Sequence, residues 1–144
     1  MTRGLAFFDT NVLVYADDAS DPVKQQRAIS LVRQHRADNT AVFSLQVLQE
    51  YFVTATRKLR VDPHIAQRKV ESLAGGRLVR FTELDVIASI ELHRLDGISF
   101  WDAMIVHAAR VAKAAVLYSE DMQHGTSSGG VMICNPFLET SPEH

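Results

Sequence analysis

The sequence predicts an α/β fold in which a central, largely parallel sheet of four or five strands is flanked by helices. Short apolar runs alternate with longer segments of helical period, from Leu5-Ala6-Phe7-Phe8 near the start to Val131-Met132-Ile133-Cys134 near the end. The connections between runs carry helices, as parallel neighbours require of their crossovers. The chain has 144 residues, 47% of them hydrophobic and 22% charged. A chain of that size buries roughly 68–70% of its unfolded surface in one core. A single domain over 1–138 is therefore expected, with a flexible tail at 139–144.

Taken in order, Leu5 to Phe8 is a buried strand because it is apolar, short and closed by the capping residues Asp9-Thr10-Asn11. Pro22 to about Arg36 is a helix, with Pro22 at its start after Ser20-Asp21 and Val23, Ala28, Ile29, Leu31 and Val32 at helical spacing. Ala41-Val42-Phe43 is the second strand. Ser44 then caps a helix whose apolar stripe is Leu45, Leu48, Phe52, Ala55 and Leu59. Pro63 to Leu73 is a helix closed by Gly75-Gly76, and Leu78 to Phe81 is the third strand. Asp85 to Leu95 is a helix that packs through Val86, Ile87, Ile90 and Leu92. Ser99 opens the next helix, which runs to about Ala112. Ala115 to Tyr118 and Val131 to Cys134 complete the strands, with Gly125 to Gly130 as a loop between them.

Composition removes several function classes. One cysteine excludes an internal disulfide framework and an all-cysteine zinc site, and a reducing, cytoplasmic home is the expectation. No run approaches the ~20 apolar residues of a membrane helix, so no membrane partner is expected. The net charge of −2 lacks the basic footprint of a protein that holds duplex DNA by charge alone.

Ligands of an open parallel sheet bind outside the carboxyl ends of its strands. Asp9 follows the first strand, Glu50 lies in the helix after the second, Asp102 starts a later helix and Asp121 follows the fourth strand. Singly, each has an ordinary explanation: Asp9 as an N-cap, Ser99-Phe100-Trp101-Asp102 as a capping box, Asp121 as a turn residue, Glu50 as a solvated neighbour of Arg57. Jointly they place four carboxylates on one rim. Two unit charges 4 Å apart repel by about 4 kcal/mol at an effective dielectric near 20, and a hard divalent cation among them relieves that repulsion. With no histidine pair at ligand spacing and no cysteine pair, the donors are all oxygen, which selects Mg²⁺ or Mn²⁺ over zinc. Such a site suits hydrolysis of a phosphate ester. Thr10, Asn11 and Ser119 are supporting candidates at the same rim.

Phe7-Phe8-Asp9-Thr10-Asn11-Val12-Leu13-Val14-Tyr15, Glu50-Tyr51 after Ser44 to Leu48, Ser99-Phe100-Trp101-Asp102-Ala103 and Leu117-Tyr118-Ser119-Glu120-Asp121 resemble the four motifs of PIN-domain ribonucleases. Asn135-Pro136-Phe137 fits the ending of that family, and the likeness spans nearly the whole chain. A single domain of this size is most similar to the VapC-type toxins of bacterial toxin–antitoxin pairs. The resemblance implies a PIN-like fold and a Mg²⁺-dependent endoribonuclease in which Asp9, Glu50, Asp102 and Asp121 hold metal. It also implies an RNA substrate, a cognate antitoxin that blocks the acidic pocket, and a homodimer.

Other residues are read structurally. His107 projects to a different side of its helix from Asp102, His124 is a turn residue, Cys134 is a small core residue, and Trp101 packs in the core with Phe100, Met104 and Ile105 rather than stacking an RNA base. Arg57, Lys58 and Arg60 suit a helix C-terminus, and Arg27, Arg33 and Arg36 a solvated face; either cluster is alternatively a guide for the RNA backbone. Among competing functions, an aspartyl phosphatase wants a second acid where Asn11 stands. A receiver domain wants an acidic pair that Thr2-Arg3-Gly4 does not supply. A non-catalytic RNA- or partner-binding module on the same fold is the alternative, and the intact acidic set argues against it.

Overall fold

A computed structural model describes residues 4–138; the tail expected at 139–144 lies outside them. The elements run β1 (Ala6–Phe8), α1 (Thr10–Ala16), α2 (Pro22–Ala37), β2 (Ala41–Ser44), α3 (Leu45–Arg57), α4 (Pro63–Ala74), β3 (Arg77–Val79), α5 (Glu83–Asp96), α6 (Phe100–Val111), β4 (Val116–Tyr118), β5 (Ser127–Ser128) and β6 (Val131–Cys134). The sheet order is β3-β2-β1-β4-β6-β5. All pairings are parallel except β5 with β6, which is antiparallel.

The local chemistry sets these boundaries. Ser44 ends β2 and accepts a bond from the Val47 amide at 3.3 Å, turning the chain into α3. Pro22 and Pro63 open α2 and α4 behind the aspartate caps Asp21 and Asp62. The strands are short and apolar because both of their faces are covered: Phe7, Phe8, Phe43 and Leu117 are almost wholly buried. Around them α1 packs on α2 and α3, α3 on α4, and α5 on α6. Among the described residues no helix is long and apolar enough to cross a membrane.

Three expectations need correction. The sheet has six strands rather than four or five, because the loop read at Gly125 to Gly130 contains the two-residue strand β5. Gly129 and Gly130 both take positive φ, 57° and 87°, so the hairpin closes in the tight turn whose twist matches its strands. The stripe of α3 is also shifted: Val47, Leu48, Tyr51 and Ala55 are buried, whereas Leu45 and Phe52 are exposed and Leu59 lies beyond the helix. Tyr51 takes the inward place because Asp17, the C-cap of α1, accepts its hydroxyl proton. In α5 the residues expected to pack, Val86, Ile87 and Ile90, are exposed, and only Leu92 of that set is partly buried against the core.

Gly130→Ala isolates the cost of the hairpin turn, since a Cβ there meets nothing within 4 Å and only the positive φ resists it. A loss of about 1 kcal/mol is expected, visible as a lower urea midpoint at unchanged slope.

Candidate active site

The order of the strands creates the site. The chain leaves β1 toward β2 on one side, while β4 occupies the other, so β1 and β4 flank the point where the winding reverses. Their register pairs Phe8 with Tyr118, the last residue of each strand. Asp9 and Ser119 follow immediately, and the Asp9 amide donates to the Tyr118 carbonyl at 3.0 Å.

Asp9 is the N-cap of α1 and the one buried acid among the described residues, only 6% exposed. One of its carboxylate oxygens accepts the Thr10 amide at 2.7 Å; the other accepts the buried Ser119 hydroxyl at 2.8 Å. Ser119 in turn accepts the Asp121 amide at 3.3 Å. The Thr10 hydroxyl donates to Glu50 at 2.6 Å. The Asn11 amide donates to Asp121 at 3.1 Å and weakly to Asp9 at 3.5 Å, while its oxygen accepts the Glu120 amide at 3.2 Å. The three supporting residues therefore tie Asp9, Glu50 and Asp121 into one network.

Asp102 joins it through charge. It sits in the first turn of α6, where Ser99 accepts its amide at 3.0 Å. Its carboxyl is raised above the ordinary 3.8, first by burial and then by the charges of Asp121 and Glu50, with the Ser99 hydroxyl offsetting part of the rise. The Asp9 carboxyl is pushed up to about 6, chiefly by burial. Ser119 and the Thr10 amide oppose that rise, and Glu50 and Asp102 add to it by repulsion. The charges of Glu50 and Asp102 thus reach Asp9, and those of Glu50 and Asp121 reach Asp102.

The donor set fits a hard divalent cation, being carboxylate, amide and hydroxyl oxygen throughout. Among the described residues no three carboxylate, histidine or cysteine groups converge tightly enough to enclose an ion by themselves. Ser119→Ala is expected to cost about 1–3 kcal/mol in denaturant titrations at pH 8, because it leaves the Asp121 amide and an ionised Asp9 oxygen without their buried partner.

Sequence reasoning missed Gln46, whose amide donates to Glu50 at 3.2 Å and to the Trp101 carbonyl at 3.4 Å, joining α3 to the start of α6. Its i, i+4 spacing from Glu50 was the available signal. It also missed the group on the Asp121 loop, where Glu120 accepts from Tyr15 at 2.8 Å and pairs with Lys24. Trp101 is not in the core: it is 61% exposed, because α6 buries Ala103, Ile105, Val106, Ala108 and Ala109 and leaves position 101 outside. His107 lies apart from the acids, hydrogen-bonded to Asp85 at 2.9 Å against the edge of Phe81. His124 accepts the Asn135 amide at 3.0 Å and is a turn residue as expected, while Cys134 is only partly buried rather than a core residue.

Comparison with solved structures finds the same fold. A toxin–antitoxin complex from Klebsiella pneumoniae aligns with TM-score 0.65 and 21% identity, covering 91% of this chain and 97% of the other. VapC20 of Mycobacterium tuberculosis, a toxin that cleaves the sarcin–ricin loop, aligns with TM-score 0.59 and 20% identity over 78% and 86% of the two chains. VapBC2 of Rickettsia felis, solved on a DNA fragment from its promoter, aligns with TM-score 0.63 and 17% identity over 90% and 96%. No curated protein sequence matches the chain. The PIN domain profile matches residues 6–124, a span that takes in all four acids and the whole of their hydrogen-bonded network, and the chain belongs to the PIN domain family.

Proposed function

We propose that this protein is a Mg²⁺-dependent endoribonuclease that hydrolyses RNA phosphodiester bonds and serves as the toxin of a type II toxin–antitoxin pair. The observation that carries the reading is the assembly of Asp9, Glu50, Asp102 and Asp121 from four separate elements around the β1/β4 switch point. Membership of the PIN family supports the chemistry, and the toxins among the similar folds support the biological role.

Asp9 and Asp102 are the principal ligands in this reading, with Glu50 and Asp121 completing the site directly or through water. When bound, a divalent ion of this kind would supply Lewis-acid polarisation of a phosphoryl oxygen and a lowered pKa for nearby water. The protein's own part is orientation. Ser119 and the Thr10 amide each bind one Asp9 oxygen and so fix the orientation of its carboxylate, Thr10 and Gln46 fix Glu50, and Asn11 fixes Asp121. An antitoxin that fills the acidic pocket would silence the enzyme. A second copy is proposed to cover exposed apolar side chains of α5, Leu84, Ile87 and Ile90 among them.

The test is cleavage of total RNA, tRNA included, by the purified chain with Mg²⁺ or Mn²⁺ and again with chelator. Discrete fragments that disappear with chelator are expected; no cleavage by folded, metal-loaded protein overturns the reading. Light scattering of the same preparation checks the dimer, and inhibition by a co-purifying small protein checks the antitoxin.

A further inference from the structure

We propose that Trp101 is a stacking platform for an unpaired RNA base beside the scissile phosphate, an inference that rests on the ribonuclease reading. Its ring is exposed, immediately precedes Asp102, and leaves its own carbonyl bonded to Gln46, the residue that also holds Glu50. The platform is thereby fixed to the helices that carry two of the four acids. Phe100 packs against the indole with ring centroids 5.1 Å apart and planes at 67°, which braces the ring while most of it stays exposed.

Charge at the rim favours an uncharged contact there. A rim of carboxylates on a chain of net charge −2 repels a polyanion, and the cation of Lys24 in α2 is already paired with Glu120 beside Asp121. Stacking of a base on an aromatic ring escapes that repulsion and tolerates any base, because every base has a π-face. The neighbouring surface is of the same kind: Gln46 lines a hollow of about 180 Å³ with Leu45, Gln49, Phe81 and Met104, and no charged residue borders it. Apolar walls with two side-chain amides suit a nucleobase better than a phosphate.

The chain's single tryptophan makes the test direct, because intrinsic fluorescence reports on this one ring. The Asp102→Asn variant, expected to leave the RNA uncut, is titrated in chelator with a short single-stranded oligoadenylate and with an abasic oligomer of equal charge. Saturable quenching by the first and none by the second is expected. In the background that retains Asp102, with RNA that the wild-type protein cleaves as substrate, Trp101→Ala is expected to raise KM about tenfold or more with kcat little changed, and Trp101→Phe to restore most of the loss. Absence of quenching, equal quenching by the abasic oligomer, or an unchanged KM in Trp101→Ala overturns the proposal. Emission that shifts to the blue with protein concentration alone and ignores RNA overturns it in favour of a protein contact. Failure of the ribonuclease reading looks different: base-dependent quenching would persist while wild-type protein cleaves nothing, and the platform would stand as an RNA-binding feature.

Discussion

Replacing Asp9 by Asn is expected to stabilise the metal-free protein and to abolish its response to Mg²⁺. The carboxyl of Asp9 sits at about 6 in the folded chain against an ordinary 3.8, so folding is opposed by its ionisation. The folded state keeps its proton to higher pH than the unfolded state does. Its contribution to stability is therefore full below about pH 4 and is lost as pH rises through about 6, a loss of about 3 kcal/mol. Asparagine removes the charge but also weakens the bond from Ser119, which leaves a net gain of about 1–3 kcal/mol at pH 8. Thermal melts of both proteins in chelator at pH 4 and pH 8 check this: the difference should appear at pH 8 and shrink toward pH 4. Added Mg²⁺ should raise the wild-type melting temperature by mass action and leave Asp9→Asn unmoved. A variant less stable than wild type at pH 8 would show that the Ser119 and Thr10 bonds outweigh the burial of charge.

Asp102→Asn is expected to have the opposite balance, a large loss of activity with little change in stability. Asp102 is half-buried and caps nothing with its carboxylate that Ser99 does not already supply, so melting should stay within about 0.5 kcal/mol of wild type. Metal-dependent cleavage should fall by more than about 100-fold, since losing a mere supporting partner of a metal ligand already costs about 10–100-fold. Single-turnover cleavage with saturating Mg²⁺ is the measurement. Full activity in that variant would remove Asp102 from the mechanism.

The residues nearest to the chemistry were the easiest to read from the sequence. A buried strand followed by an acid is a local pattern, and Asp9 directly after β1 and Asp121 three residues after β4 lie where that pattern puts them. Parallel pairing follows from helical crossovers, so the sheet and its carboxyl edge were legible together. Faces of helices were less so. In α3 the apolar residues nearly encircle the axis, and the choice between the stripe of Leu45 and Phe52 and that of Val47 and Tyr51 is made by Asp17, far away in the chain. In α5 the sequence shows apolar side chains and cannot say whether the partner that covers them is this chain's own core. Trp101 was misread for the same reason, by counting hydrophobic neighbours where the direction of the first helical turn decides. β5 escaped notice because two serines ahead of two glycines carry no apolar signal, and antiparallel pairing in so short a strand is set by the turn.

The bond between Ser119 and Asp9 spans 110 positions of sequence, as does that between Asn11 and Asp121. Most of the polypeptide must therefore exist before the acids of the first and last motifs can meet, and closing so long a loop is among the later and slower events of folding. During translation, a ribosome that has made the first three helices and two strands carries no assembled site. In the reading proposed here, a nuclease directed at RNA stays inert while it is still attached to the RNA-rich machine that makes it, and acquires its chemistry when β4 docks beside β1.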